Sequence, residues 1–169
     1  GPLSRLQKKL LPKKYDLLVI LSGPEPQRGI LENHLKNEIN RFKGNAIFIE
    51  GNVESEQKIV VKQNVTYYNF MNSTELEQAF NESEMVLCRS GYTTIMDLAQ
   101  LRKKAFFIPT PGQYEQEYLA KKLKKEGLVP YANQNDFRME NIQEIQDYKG
   151  LPRLDSKIDW TNLFAVFEK

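Results

Sequence analysis

The stretch that decides the fold covers residues 84–120 and reads EMVLCRSGYTTIMDLAQLRKKAFFIPTPGQYEQEYLA. It contains two short apolar runs, residues 85–87 and 105–108, each followed by a turn and then by residues with helical spacing. This pattern predicts two strand–turn–helix units whose turns lie at the same edge of a parallel sheet. Open α/β sheets bind ligands at that edge, and the N-terminus of a helix favours phosphate.

The same alternation of apolar runs and helical patterns continues outside this stretch. Residues 15–21 are apolar almost throughout, as strands buried on both faces of a parallel sheet are. Further strands are predicted at residues 46–50, 65–69 and 128–132, while the type of the apolar piece 58–62 stays open. Helices are predicted at residues 27–42, 72–80, 114–126, 136–147 and 159–169. The first of these helices is expected to bury Ile30, Leu31, Leu35, Ile39 and Phe42 on one face.

Six strands alternating with about six helices predict a Rossmann-like, doubly wound parallel α/β sheet. The expected organisation is a lead-in at residues 1–14, one α/β domain at residues 15–156 and a final helix at residues 157–169. The first four residues, Gly-Pro-Leu-Ser, are equally consistent with an expression scar and with a native linker.

Composition narrows the classes of function. The chain has 169 residues, and its 24 basic and 22 acidic side chains almost balance, so no nucleic-acid partner is expected. A single cysteine excludes an intramolecular disulfide framework and suits a reducing compartment. Because neither a signal peptide nor an apolar run of about 18 residues is visible, we expect a cytoplasmic protein without a membrane span.

Polar residues follow the predicted strands at two turns. The turn at Ser22 and Gly23 lacks the G-x-G-x-x-G pattern, and its two prolines remove N–H donors, which argues against a dinucleotide cradle. The turn Arg89-Ser90-Gly91-Tyr92-Thr93 suits a diphosphate better, although Ser90 or Thr93 is also a typical helix cap.

Other polar residues admit two interpretations each. Asp97 is expected on the helix face opposite Ile95, either as a solvated acid or as an acceptor for a ribose diol. Gln113, Gln116 and Glu117 begin the next helix and are also ordinary surface residues. Cys88 is predicted to be a core thiol, and His34 a solvated side chain. No catalytic triad, metal-ligand cluster or Walker loop is visible, so no catalytic residue, metal or cofactor is expected in this chain.

The segments C-R-S-G-Y-T-T-I-M-D-L-A and F-F-I-P-T-P-G-Q-Y-E-Q-E-Y-L-A resemble the carboxy-terminal, donor-binding domain of GT-B glycosyltransferases. The resemblance covers most of the chain and is strongest to the MurG-type enzymes, which transfer N-acetylglucosamine from UDP-GlcNAc to a lipid-linked acceptor. It implies that this chain is one half of an inverting UDP-sugar transferase. The acceptor half would be an amino-terminal domain or a separate subunit, and this half alone would bind without turnover.

The resemblance also implies roles for individual residues. Asp97 stands where the family has a ribose-binding glutamate, Glu117 stands where it has a second glutamine, and Ala120 follows a position where asparagine is common. Arg5 resembles an interdomain linker arginine near the donor. The implied donor contacts are as follows: Ser22, Gly23, Arg89, Ser90, Gly91, Tyr92 and Thr93 for the diphosphate, Asp97 for ribose, Phe70 and Met71 for uracil, and Gln113, Gln116 and Glu117 for the sugar.

Two alternatives stay open beside this interpretation. One is a UDP-sugar hydrolase or 2-epimerase, which needs further acids or a histidine near the donor sugar. The other is a non-catalytic, nucleotide-sugar-binding subunit of a split transferase. Membrane contact, at the inner face, is expected only through the acceptor half. The small basic patch at Lys8, Lys9, Lys13 and Lys14 is either a contact for anionic lipid or a solvated face.

Overall fold

The computed structural model describes residues 6–54 and 56–153. The expected final helix, Arg5 and the first four residues lie outside this part of the chain. The described strands are β1 (Tyr15–Ile20), β2 (Ala46–Ile49), β3 (Ile59–Lys62), β4 (Val65–Tyr68), β5 (Ser83–Cys88) and β6 (Lys104–Phe107). The described α-helices are α1 (Gln27–Glu38), α2 (Ser73–Asn81), α3 (Tyr92–Leu101) and α4 (Tyr114–Lys125), and two 3₁₀ helices cover Ile39–Arg41 and Met139–Asp147.

The strands form one sheet in the order β3-β4-β2-β1-β5-β6. All neighbours pair in parallel except β3, which pairs antiparallel with β4. In the centre, Leu18 of β1 lies in register with Ile47 of β2 and Val86 of β5. The predicted Rossmann-like, doubly wound α/β fold is confirmed, with one antiparallel strand at its edge.

Helices cover both faces of the sheet, so the central strands are buried on both sides. In β1, Leu17, Leu18 and Val19 are all fully buried although they point alternately to opposite faces. Leu18 packs in a cluster with α2, α3 and α4 residues, whereas Leu17 and Val19 pack with α1 and Phe137. This arrangement explains why the strand is apolar at successive positions.

The prediction of a strand at residues 128–132 is wrong. Tyr131 makes only an isolated parallel bridge to Phe107, and the sixth strand is β3, in the piece whose type the sequence left open. Only Gln63 and Asn64 connect β3 to β4, and Gln63 has a positive φ of 54°. Because a two-residue loop joins only antiparallel strands, β3 reverses direction at the edge of an otherwise parallel sheet.

The predicted α-helix at residues 136–147 is a 3₁₀ helix at Met139–Asp147. Its buried residues are Met139, Ile142 and Ile145, which are spaced three apart. A repeat of three matches the 3.0 residues per turn of a 3₁₀ helix and not the 3.6 of an α-helix. The segment therefore presents one apolar edge to the sheet.

Two side chains on α1 lie where the sequence did not predict them. Ile30 is 46% exposed and does not share the buried stripe of Leu31, Leu35 and Ile39. His34 is half-buried, and its Nε2 lies 2.7 Å from the backbone oxygen of Phe137. The predicted solvated histidine is thus a contact between α1 and the loop before the second 3₁₀ helix.

Within the described residues, no helix has the length and the apolar character needed to cross a membrane.

Candidate functional site

Three turns meet at the carboxyl edge of the sheet because β1, β5 and β6 are neighbours. The β1 turn holds Gly23 with a φ of 98°, a conformation that side chains rarely adopt. A methyl group placed on Gly23 would lie 3.9 Å from the hydroxyl oxygen of Thr110 in the β6 turn. The β1 and β6 turns therefore approach each other across the end of β5.

Arg89, at the end of β5, joins the neighbouring turns. Its Nη1 donates to the backbone oxygens of Ile108 and Pro109 at 3.2 and 3.3 Å, and its Nη2 donates to that of Gln27 at 3.3 Å. Only 2% of the residue is exposed, and this burial lowers the pKa of the guanidinium to about 10. The group is still a cation at neutral pH.

Among the ion pairs of the described residues, none involves Arg89, so backbone carbonyls alone compensate its charge. A buried charge is costly unless it is paired, because the interior solvates it poorly. The β5 turn therefore has a positive potential that an anion bound nearby would satisfy.

Ser90 and Gln116 brace the two turns from within. Ser90 is fully buried, and its hydroxyl donates to the backbone oxygen of Gln116 at 2.8 Å. The side-chain Oε1 of Gln116 in turn accepts from the backbone N–H of Thr110 at 2.8 Å. The hydroxyl proton of Ser90 and the amide oxygen of Gln116 are thus engaged inside the protein, which leaves the side-chain NH₂ of Gln116 to donate to a ligand.

The N-terminus of α3 opens directly from this turn. Gly91 is its N-cap residue, and no side chain caps the helix, so neither Ser90 nor Thr93 takes the capping role considered from the sequence. A methyl group on Gly91 would meet nothing within 4 Å, and Tyr92 and Thr93 are exposed. The structure therefore leaves room beside Gly91 at the positive end of the helix.

Asp97 is buried, contrary to the interpretation as a solvated acid. It is 4% exposed although it lies about 200° around α3 from Ile95, because residues 95–99 are buried on every side of this helix. Burial raises the pKa of the Cys88 thiol, and the negative charge of Asp97 raises it further. The prediction that Cys88 is a core thiol is confirmed, and Asp97 places a carboxylate behind the end of β5.

Phe70 and Met71 follow β4, three strand positions from β5 along the same edge. Both are half-buried. The backbone N–H of Phe70 donates to Asn69 Oδ1 at 3.0 Å, and its carbonyl accepts from Gln57 Nε2 at 2.9 Å. Asn69 also accepts from the N–H of Lys58 at 2.8 Å, so side chains fix the shape of this loop. The structure therefore brings these two residues to the site's edge but not into contact with the β5 turn.

The three predicted sugar-contact residues differ in their surroundings. Gln113 is exposed, Gln116 is the internal brace described above, and Glu117 is half-buried. Glu117 lines an open cavity of about 330 Å³ together with Pro109, Gly112 and the loop from Asn133 to Asp136. Two acids, Glu117 and Asp136, therefore line the space next to the β6 turn.

Three buried polar atoms near the meeting point of the turns lack a hydrogen-bond partner: Arg89 Nε, Thr110 Oγ1 and Gln134 Oε1. The other side-chain atom of Gln134, Nε2, donates to Gln27 Oε1 at 2.9 Å. Unsatisfied buried polar groups are rare and cost about 1–3 kcal/mol each, which marks this place as one where a ligand or water completes the network.

Sequence reasoning missed Gln27, Thr110 and Gln134. Thr110 had a signal, because it follows a buried strand within the same turn that begins the Gln113 helix. Gln27 and Gln134 had none, since 107 residues separate them and only the fold brings them together. No group of three or more His, Cys, Asp or Glu suited to a metal ion occurs within residues 6–54 and 56–153.

Comparisons with known proteins point to one family. The family model described as "Glycosyltransferase family 28 C-terminal domain" matches residues 30–149. A relative from Haemophilus ducreyi, named UDP-N-acetylglucosamine--N-acetylmuramyl-(pentapeptide) pyrophosphoryl-undecaprenol N-acetylglucosamine transferase, is 28% identical over 151 residues, 85% of this chain and 42% of the relative. A relative of the same name from Sulfurihydrogenibium sp. is 25% identical over 94% of this chain and 46% of its own. The chain thus spans less than half the length of these curated relatives.

Two solved structures share the fold. The crystal structure of Acinetobacter baumannii MurG matches with a TM-score of 0.56 and 16% identity, over 83% of this chain and 44% of that one. The solution structure of ALG13 matches with a TM-score of 0.58 and 14% identity, over 89% of this chain and 94% of that one.

Proposed function

Because the chain belongs to the family of glycosyltransferase family 28 C-terminal domains, we propose that it is the donor-binding half of a glycosyltransferase. The donor is a UDP-sugar, held at the carboxyl edge of the sheet with its diphosphate at the β5 turn. The observation that carries this proposal is the buried cation of Arg89, which forms no ion pair within residues 6–54 and 56–153 and lies beside the uncapped N-terminus of α3. A diphosphate supplies the negative charge that this arrangement lacks.

The names of the relatives support UDP-N-acetylglucosamine as the donor type, because they specify that donor for their own reactions. In this proposal the amides of Gly91, Tyr92 and Thr93 bind the diphosphate, and Ser22 and Gly23 approach it from the β1 turn. The ribose is bound by Asp97 and the uracil by Phe70 and Met71. The sugar is bound by Gln113, Gln116 and Glu117. Arg89 acts mainly through the turn that it holds, since its Nη atoms are directed to backbone oxygens.

The proposed reaction is an inverting transfer in which this half stabilises the leaving group. The bond between the sugar C1 and the β-phosphate oxygen breaks while the acceptor hydroxyl forms its bond to C1 and loses its proton to a base. Negative charge then grows on the departing UDP, where the helix dipole and the Arg89 cation favour it. The base and the acceptor site belong to the other half, as an amino-terminal domain or a separate subunit at the cytoplasmic face of a membrane.

The hydrolase or epimerase alternative has less support. Such a reaction needs titratable groups close to the sugar. Asp97 is buried behind β5, so the acids available to it are Glu117 and Asp136, which line the cavity beside the β6 turn. His34 contacts the backbone of Phe137 on the α1 face of the sheet.

Calorimetric titration with UDP, UDP-GlcNAc, UDP-glucose, GDP and NAD tests the proposal. We expect selective binding of uridine nucleotides, with a Kd of roughly 1 mM or below, since half of the site's partners are absent. Asp97→Asn should weaken UDP binding, whereas Asp16→Asn, at the opposite edge of the sheet, should not. A preference for NAD, or equal binding of GDP and UDP, would contradict a uridine donor site.

A further inference from the structure

The amino edge of the sheet, opposite the donor site, carries a second feature that the transferase proposal does not use. An open groove of about 510 Å³ lies there, where β5 and β6 begin and α3 ends. Its walls combine residues of the N-terminal segment with residues of the sheet and the second 3₁₀ helix. Its charged lining residues are Lys8, Lys13, Glu84, Arg102, Lys103 and Lys104.

The charges of this groove are strongly unbalanced, with five cations and one carboxylate among its lining residues. The N-terminal segment shows the contrast clearly. Lys9 and Lys14 form ion pairs with Glu77 and Glu82, both at 2.9 Å, and neither lysine lines the groove. Within residues 6–54 and 56–153, none of the five lining cations forms an ion pair. The unpaired cations of this region are therefore collected in the groove.

Backbone carbonyls hold two of the ammonium groups close together. Lys103 is 9% exposed and its Nζ donates to the oxygen of Ser83 at 2.7 Å, while Lys13 Nζ donates to that of Asn81 at 2.9 Å. Each carbonyl satisfies one N–H of a group that has three donors. Burial, and then the neighbouring cation of Lys13, lower the pKa of Lys103 to about 8, with Lys8 adding to this effect and Glu84 opposing it.

The dipole of α3 explains only part of this cluster. Arg102 and Lys103 follow the C-terminus of that helix, where cations are favourable. Lys8 and Lys13 belong to the N-terminal segment and not to α3. The helix dipole therefore does not explain why they lie near Lys103. Repulsion between these groups is relieved when an anion lies among them.

We propose that this amino-edge groove binds a phosphate group carried by a soluble compound or by an anionic lipid. The ammonium groups of Lys8, Lys13 and Lys103 supply donors to the phosphate oxygens. Apolar side chains line the same groove, including Leu10, Met85, Leu101 and Ile145, and Leu10 is 93% exposed. An apolar substituent on the phosphate would pack against these side chains.

An NMR titration of the ¹⁵N-labelled chain with inorganic phosphate, at constant ionic strength maintained with chloride, tests this proposal. We expect saturable shifts of the amides of Arg102, Lys103 and Lys104. Shifts at Gly91 would report the donor site separately, so the two proposals can fail independently. Replacing Lys8 and Lys13 together by Gln should weaken phosphate binding about tenfold, because two charge-assisted contacts are lost.

The double variant Lys9→Gln/Lys14→Gln is the matched control. It removes the same charge from the same exposed segment but leaves the groove intact, so phosphate affinity should stay within about twofold of wild type. Vesicles of phosphatidylglycerol, compared with phosphatidylcholine, distinguish the sources. If the chain binds the anionic vesicles and this binding requires Lys8 and Lys13, the ligand is a lipid headgroup. If the chain binds inorganic phosphate but not the vesicles, the ligand is a soluble compound. Neither kind of binding, or equal losses in the two double variants, would overturn the proposal.

Discussion

The two proposed anion sites lie at opposite edges of the sheet and use different kinds of donor. At the carboxyl edge, the buried cation of Arg89 lies beside the N-terminus of α3, and the proposed donors are mostly backbone N–H groups. At the amino edge, the proposed site consists of lysine side chains gathered around Lys103. Backbone donors are fixed by the fold, whereas lysine side chains have four rotatable bonds and lose entropy when they are ordered.

This difference has a consequence for specificity. Fixed amides and a rigid guanidinium select the geometry of one ligand, which in the proposed donor site is a diphosphate. A cluster of ammonium groups selects charge and accepts several geometries, because each is a compact point charge on a flexible stem. The carboxyl edge is therefore suited to a substrate, and the amino edge to a broader class of phosphate-bearing molecules.

The largest effect is expected from Arg89→Met, which removes the connection between the turns. Three backbone carbonyls lose their donor, and we expect the free energy of unfolding to fall by roughly 3 kcal/mol. Urea denaturation measures this loss. Arg41→Met is the control, because its ion pair with Glu140 is about half exposed and contributes little. Similar losses in both variants would show that Arg89 does not brace the carboxyl edge.

The second prediction concerns Gly91→Ala and separates binding from stability. Gly91 has a φ of −75° and a methyl group there meets no atom within 4 Å. The lower entropy of the unfolded chain therefore offsets most of the cost of alanine as an N-cap residue, and the stability should change by no more than about 1 kcal/mol. The affinity for UDP should fall about tenfold, because the methyl group keeps the diphosphate from the amides of α3. Calorimetry and thermal unfolding of the same samples give both values. An unchanged affinity for UDP would indicate that the diphosphate does not bind at this turn.

The fold was largely predictable because strands that are buried on both faces of a sheet need apolar residues at successive positions. The runs in β1, β2 and β5 are of this kind. The edge strand β3 was not predictable, since Ile59, Val60 and Val61 are apolar yet about half or more exposed, and nothing in the pattern names their partner. The two-residue turn at Gln63 makes β3 pair antiparallel with β4. The sequence predicts this pairing only if both flanking segments are already known to be strands.

The site was predictable only to the level of the turns. The order of strands brings the Ser22, Arg89 and Thr110 turns together, and the sequence predicted the first two as candidate phosphate contacts. Side-chain directions were not available from the pattern. Arg89 and Asp97 are both buried, although charged side chains are usually exposed. The backbone oxygens that accept from Arg89 belong to other turns, so spacing alone does not reveal them. The roles of Phe70, Met71, Gln113 and Glu117 remain predictions.

The third prediction uses the pH dependence of stability at the amino edge. The pKa of Lys103 is lowered to about 8 in the folded protein, so between pH 8 and the ordinary lysine value the unfolded chain binds more protons. The contribution of Lys103 to stability must therefore rise with pH across this window. Between pH 7 and about pH 8.8, we expect wild type to gain about 1 kcal/mol relative to Lys103→Met, measured by urea denaturation. Phosphate should reduce this gain, because a bound anion raises the pKa of Lys103.

The smallest effect, and the most direct comparison of the edges, is the response to salt. Raising NaCl from about 0.1 M to about 1 M shortens the screening length from about 10 Å to about 3 Å. The exposed ammonium groups of Lys8 and Lys13 are screened, so phosphate affinity at the amino edge should fall about threefold. Arg89 is buried, and the backbone N–H groups of α3 carry no net charge that salt could screen, so UDP affinity should change by less than this factor. Equal salt dependence at both sites would mean that exposed charge, rather than fixed backbone donors, attracts the donor diphosphate as well.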